Sequence, residues 1–346
     1  MSSLRVLQLA GSNVSEFYYN LSMIYARKVL QPSGVENYYA IAHPKGFWQL
    51  GASLDDLSPK LSLQEMIAQL PEIDVVVPHL FCFPGMTSFR AFFEDLLGLP
   101  VVGSPAHCTA LATNKAHTRN IVQEMGVTVA KAQPLRSGDT VTMKPPFIVK
   151  PNSEDNSLGL TLVKSEDQLP EALNKGFEFD EILLVEDYIP GREIRVGVIE
   201  RGEELFVPKS MIEYIFPKDH TIRTVHDKLD LQADGTPGKQ PEKPVAKPQC
   251  PADLTPNLYE KIATAAKKAH IALGCRDYSL FDFRVHEATG EPYLLEAGLF
   301  WSFGEISMIS RMLLADGENL EDIVFEVWRN ASQRKRVACG SLYKYV

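Results

Sequence analysis

An α/β fold is predicted, with an N-terminal parallel-sheet domain followed by two α+β lobes. Three observations carry this expectation. Apolar runs of strand length alternate with helical spacing up to about residue 105. A lysine then ends the apolar run "PFIVKP" ahead of a loop of small and polar residues, and two later runs, "YSLFDFRV" and "PYLLEAG", carry acids at or near their ends. The chain has 346 residues, 45% hydrophobic and 23% charged, enough to bury a sizeable core in two or three packed lobes.

The elements follow in order. "LRVLQLA" reads as a buried strand ending at Gly11-Ser12, and "EFYYNLSMIYARKVL" as a helix stopped by Gly34. "YYAIAHP", the helical "LSLQEMIAQLP" and "IDVVVPHL" continue a βαβ rhythm, and "SFRAFFEDLLGLP" and "VVGS" add a helix and a short strand. This alternation implies a mostly parallel sheet. "CTALATNKAHTRNIVQEMGV" reads as one helix capped by Gly126, and "PFIVKP" and "TLVKS" as strands joined by "NSEDNSLGL". "EILLVEDYIPGREIRVGVIE" holds two strands around the Pro190-Gly191 turn, and "ELFVPKSMIEY" follows. Residues 233–256 form a polar run with six prolines, a linker or a lid. "LYEKIATAAKKAHIALG" is an amphipathic helix, "YSLFDFRV" and "PYLLEAG" are paired strands, and "LEDIVFEVWRNAS" is a last helix. The expected domains are 1–106, 107–190 and 191–346.

Composition excludes several classes. The net charge of −9 argues against a nucleic-acid partner. No apolar run approaches the roughly 18 residues that span a bilayer. The five cysteines form no CxxC pair, which argues against zinc and fits a reduced, cytoplasmic setting.

Chemistry-bearing residues leave alternatives open. Ser153, Asn156, Ser157 and Gly159 can aim N–H groups and hydroxyls at phosphate, with Lys150 adding charge, or the loop is a plain hairpin connection. Lys115 matters only if it converges with Lys150 on one nucleotide. Backbone at 186–189 could meet an adenine edge and Glu193 a ribose, or this stretch is a hairpin with exposed acids. Asp282 and Glu296 sit close to apolar neighbours, so they need partners: magnesium bridging phosphates, or an Arg or Lys salt bridge.

In order, "TNKAHTRNIVQEMGV", "FIVKPNSEDNSLGL", "VEDYIPGREIRV", "GCRDYSLFDFRV" and "PYLLEAG", with "PHL…GMTS" and "GLPVVGS" upstream, resemble the D-alanine–D-alanine ligase family of ATP-grasp enzymes over nearly the full length. The resemblance implies two lobes clasping ATP, a carboxylate activated as an acyl phosphate, and attack by an amino acid's amine. It assigns Lys115, Lys150, Glu186, Ile189, Glu193 and Leu295 to ATP, with Ser153 and Ser157 in the phosphate loop. Asp282 and Glu296 are assigned to Mg2+, with Mn2+ as a substitute. Ser307 and Lys228 would hold the acceptor's carboxylate, and Lys150, Ser157 and Lys228 would act in catalysis. A homodimer is implied as well.

The departures surround the first substrate. Tyr18 stands where the family holds an acid, with Glu16 two residues earlier, and "LFCFPGMTS" follows His79. Leu280 replaces an arginine, Gly298 replaces a third metal ligand, and Phe300 and Trp301 enlarge the wall. "EFYYNLSMIYA" and "FCFPGMTSFRAFFEDLLG" resemble the ligases of mycosporine-like amino acid biosynthesis, which implies mycosporine-glycine joined to serine or threonine. The alternatives are a dipeptide ligase with a relaxed first subsite, and a nucleotide-binding protein without ligase activity.

Overall fold

The computed structural model describes residues 3–154, 157–217, 221–223 and 246–334. The chain opens with β1 (Leu4–Gly11), α1 (Glu16–Arg27), β2 (Val35–Ala42), β3 (Trp48–Ser53), β4 (Asp56–Leu57), α2 (Leu63–Gln69) and β5 (Val75–Pro78). Strands β2, β1 and β5 run parallel, and antiparallel β3 and β4 extend the sheet past β2. Ser15 caps α1 by accepting from the Tyr18 N–H. That helix ends at Lys28, short of Gly34, because the chain turns inward: Val29 is buried and the Leu30 N–H donates to the Phe303 carbonyl.

"SFRAFFEDLLGLP" does not form one helix. After α3 (Phe83–Met86) and α4 (Ser88–Ala91), a π turn at Phe92–Leu96 swings Phe93 into the core. "VVGS" contributes only a bridge between Val101 and Val76. The next predicted helix is also split, into α5 (Ala106–Thr113) and α6 (Lys115–Glu124). Asn114 is extended there and its side chain accepts from the His117 N–H, so a capping residue inside an apolar pattern starts a new helix.

A second, antiparallel sheet contains β6 (Ala132–Arg136), β7 (Phe147–Pro151), β8 (Thr161–Val163) and β9 (Ile182–Asp187), in the order β6-β9-β7-β8. Helix α7 (Leu169–Phe177) covers one face. The third sheet holds β10 (Gly191–Arg201), β11 (Glu204–Phe206), β12 (Ile212–Ile215), β13 (Lys247–Gln249), β14 (Tyr278–His286) and β15 (Pro292–Gly298). Its path is β13-β12-β10-β14-β15, with β11 on β10. Strands β9 and β10 therefore do not form the expected hairpin. Residues 188–190 carry the chain from one sheet to the next.

Gly191 makes that crossing possible. Its φ is +137°, and a Cβ there would lie 2.0 Å from the Val285 carbonyl oxygen. Behind the third sheet lies α8 (Pro256–Leu273), capped by Thr255 and closed by left-handed Gly274. Buried Ile262, Ala263, Ala266, Ala269 and Leu273 on α8 pack against Phe281, Phe283 and Val285. Helices α9 (Met308–Ala315) and α10 (Leu320–Ser332) pack on the other side, where Trp328 joins Val75 and Val77 of the first sheet in one core.

The N-terminal unit is also fixed by polar contacts. Asp277, buried at a left-handed φ of 64°, accepts from the Gly103 N–H and Arg334 Nη2, each at 2.6 Å. Burial raises its carboxyl to about 6, against the partly opposing charge of Arg334. Gly191→Ala should cost about 3 kcal/mol of stability or more, adding a clash to a backbone conformation that is nearly glycine-only. Urea unfolding checks this; a loss under about 1 kcal/mol would show that the crossing tolerates a side chain.

Candidate active site

A cleft opens between the second and third sheets. Alternation along β7 and β9 builds one wall. Lys150 and Glu186 occupy diagonal positions on one face, both buried, with Lys150 Nζ 2.5 Å from Glu186 Oε1. Lys115, the first residue of α6, reaches the same cleft. Its N–H donates to the Asn152 carbonyl, and its Nζ donates to the Glu154 carbonyl and lies 3.7 Å from Glu296 Oε1. The two lysines thus converge.

Ser157, at a left-handed φ of 61°, lines the cleft with Leu158 and Leu160. Ser153 does not line it: it is exposed, and its N–H donates to Asp180 Oδ2 at 2.7 Å. Asn156 and Lys228 lie outside the described residues, as does most of the 233–256 run. Ile148, Ile189 and Leu295 supply apolar surface in the cleft. The crossing backbone is partly engaged: the Tyr188 N–H donates to Pro146 and the Ile189 carbonyl accepts from Arg284 Nε at 3.1 Å.

The far wall is a lattice of opposite charges. In the antiparallel register of β10 and β14, Glu193 faces Arg284 and Arg195 faces Asp282. Arg195 donates to both oxygens of Asp282 at 2.6 Å, and Arg223 Nη2 lies 3.2 Å from Asp282 Oδ2. Glu193 has Arg223 Nε at 3.1 Å and Arg284 Nη1 at 3.3 Å. Burial lowers the Arg195 guanidinium, but the Asp282 charge more than offsets this, so its pKa stands above its ordinary value. The sequence reading missed all three arginines. "GREIRV" against "FDFR" carried the signal, since E-x-R and D-x-R are complementary once the strands run antiparallel.

Asp282 and Glu296 are direct cross-strand neighbours, as the expected metal site requires. The donor set nevertheless does not fit a chelated ion. Both oxygens of Asp282 are held by guanidinium, and the third position, Gly298, has no side chain. Among the described residues no group of three His, Cys, Asp or Glu can surround a metal. The salt-bridge alternative is the one realised at Asp282. Gly298 is exposed at an ordinary φ, and a Cβ there would meet only Leu280 atoms at 3.7 to 4.0 Å.

Two substrate assignments need correction, those of Trp301 and His79. Trp301 is not a wall: it is 1% exposed, stacks on Phe303 at 4.6 Å and donates Nε1–H to Ser310. Phe300 is half-buried in a cluster with Phe81 and Tyr25, with ring centroids 3.9 and 5.9 Å away. His79 is fully buried and its Nε2 lies 2.7 Å from Gln8 Oε1, so it presents no surface to a substrate. Its Nδ1 has no hydrogen-bond partner among the described residues, and burial lowers its pKa to about 3. Ser307 caps α9, accepting from the Ser310 N–H, and does not line the cleft. Tyr18 sits in the first turn of α1 beside Phe17, also outside the cleft lining.

A lysine strand and loop on one sheet, facing carboxylates on a second across a single backbone crossing, define the ATP-grasp class of carbon–nitrogen ligases. Residues 121–328 match the family described as "D-ala D-ala ligase C-terminus". A D-alanine–D-alanine ligase of Geobacter sulfurreducens is 34% identical over 239 residues, spanning 66% of this chain and 68% of that protein. The D-alanine–D-alanine ligase from Coxiella burnetii superposes with a TM-score of 0.77 at 20% identity, covering 100% of this chain and 98% of that one. The VanG D-Ala:D-Ser ligase from Enterococcus faecalis gives 0.76 at 19%, covering 95% and 100%. This chain belongs to the D-alanine–D-alanine ligase family and is an ATP-dependent, ADP-forming ligase.

Two predictions follow from the geometry. Gly298→Asn should change stability by less than about 1 kcal/mol in thermal melts, since neither backbone nor space demands glycine; a larger loss would mean the position is closely packed. For His79, the unfolded chain takes up a proton below the ordinary 6.5, whereas the folded chain does not until about 3. Stability held above pH 6.5 therefore falls by about 1.4 kcal/mol per unit as pH drops. Asp277 acts in the opposite direction below about 6, because its raised carboxyl takes up a proton more readily when folded. Urea melts of wild type and His79→Gln between pH 7.5 and 5 isolate the histidine, and parallel curves would refute its burial as a neutral ring.

Proposed function

We propose that the chain joins a phosphorylated acid to the amine of an amino acid, with Lys115 and Lys150 holding the phosphates of ATP. One observation carries this reading: lysines from separate elements converge in a cleft that also holds Asp282 and Glu296. The names of the relatives favour a D-alanine–D-alanine type of dipeptide ligase with a relaxed first subsite. In that reaction a carboxylate oxygen of the first substrate takes the γ-phosphate of ATP, leaving ADP. The amine nitrogen then attacks the carbonyl carbon, the C–N bond forms, phosphate departs with the C–O electron pair, and the nitrogen loses a proton. In this reading the Ser307 hydroxyl would turn from Ser310 to donate to the second substrate's carboxylate, beside the positive end of the α9 dipole.

A second reading takes mycosporine-glycine as first substrate and serine or threonine as acceptor. It is supported by the Tyr25, Phe81 and Phe300 cluster and by the absence of a side chain at exposed Gly298, beside Leu280. The phosphate would go to the ring oxygen of a vinylogous acid, and its loss after amine attack would leave an iminocyclohexene. In both readings Lys115 and Lys150 bring positive charge to the phosphates.

Purified protein with ATP and Mg2+ decides between them. ADP release that depends on D-alanine, with the dipeptide seen by mass spectrometry, supports the first. ADP release that needs both mycosporine-glycine and serine, with a red shift in absorbance, supports the second. Lys150→Ala should lower ADP release at least about 100-fold, because it removes phosphate charge from a desolvated site. Near-normal turnover would sink the placement of the phosphates.

A further inference from the structure

Two positions lost relative to the family resemblance, Leu280 and Gly298, are cross-strand partners on β14 and β15. On the other side of β14, Leu280 faces Gly197 and Asp282 faces Arg195. Arg195 is therefore the diagonal neighbour of Leu280 on the same sheet face, a spacing within reach of a long side chain. A guanidinium missing from β14 is thus present one strand away.

Arg223 completes the arrangement. Its guanidinium lies 3.8 Å from the centroid of the Tyr214 ring, reaches both Glu193 and Asp282, and lines the cleft. Three guanidiniums, from Arg195, Arg223 and Arg284, face two carboxylates, Glu193 and Asp282, so this cluster is net positive. A buried carboxylate held in bidentate fashion by a half-buried arginine is a poor chelator. Handing Asp282 to a metal would strand the Arg195 charge in a desolvated place.

We propose that Arg195 and Arg223 supply, at the phosphate end of the cleft, the positive charge that a cation chelated by Asp282 would otherwise supply. Arg223 contacts nucleotide phosphate, for which its planar fork of donors is suited, and Arg195 is a positioning residue that holds Asp282. This assignment rests on the nucleotide-binding reading of the cleft.

The test uses the full chain with ADP as probe, calorimetry for ADP affinity, and electron paramagnetic resonance for bound Mn2+. Asp282→Asn should leave the Mn2+ affinity of the ADP complex within about twofold of wild type, whereas removal of a true ligand would lower it tenfold or more. Arg223→Gln should weaken ADP binding about tenfold or more in EDTA, where no metal can mask the loss. A tenfold drop in Mn2+ affinity for Asp282→Asn overturns the proposal. So does unchanged ADP affinity in Arg223→Gln with a wild-type circular dichroism spectrum. If Asp282→Asn fails to fold, Mn2+ counting on wild type decides: one ion per chain, carried by the nucleotide, supports the proposal and two overturn it. Wild type that binds no ADP at all would instead overturn the nucleotide reading, and this proposal with it.

Discussion

The cleft's far wall depends on one cross-strand match: Glu193 and Arg195 of β10 against Arg284 and Asp282 of β14. Three buried charges, Glu193, Asp282 and Arg284, and the half-buried Arg195 would each be costly alone, and in this register each finds its opposite. A slip of one residue in either strand would turn that strand's two charges to the apolar face that receives α8 and leave the other two unpaired. The register of the third sheet is thus fixed by electrostatics as well as by the alternating apolar residues Phe281, Phe283 and Val285. The same pairing decides the chemistry, since it commits Asp282 to arginine before any ligand arrives.

The two halves of the site are built differently. The proposed nucleotide half is polar, with Lys115, Lys150, Glu193, Asp282 and Arg284 each engaged by a partner from another element. The expected first-substrate half is aromatic: Tyr25 from α1, Phe81 after β5 and Phe300 after β15 meet there. Those three rings come from segments far apart in sequence, so the cluster exists only because the N-terminal sheet is docked on the third. Asp277, Gly103 and Arg334 fix that docking, together with the Trp328 core.

Much of the fold was legible because strands and helices of ordinary length announce themselves by period. The sequence misled where one residue overrode the pattern. Asn114 split a helix that apolar spacing had joined, and the π turn at Phe92–Leu96 did the same downstream. Lys150, Asp282 and Glu296 stood out in the sequence at or near the ends of apolar runs, whereas Lys115 carried weight only if it converged with Lys150, as the cleft shows it does. Trp301 was misplaced because a bulky aromatic after a strand reads equally as wall or as core, and only packing against Phe303 separates the two. The arginines at Asp282 escaped because partnership across a sheet requires the register, which no single strand encodes.

The tie between α6 and β7 has a mechanical consequence. Asn152, just after β7, accepts from the Lys115 N–H through its carbonyl and from the Ala116 N–H through its side chain. Val122 of the same helix packs in the core of the third sheet, and the Leu294 N–H of β15 donates to the Thr128 carbonyl just beyond α6. Helix α6 is therefore held on both sides of the cleft, tied to the strand of Lys150 at its first turn and to the strand of Glu296 along its length. Any change in the spacing of the two sheets has to be taken up either at the Asn152 contacts or at the 3.7 Å approach of Lys115 to Glu296. The helix is thus the spacer that sets how wide the cleft stands.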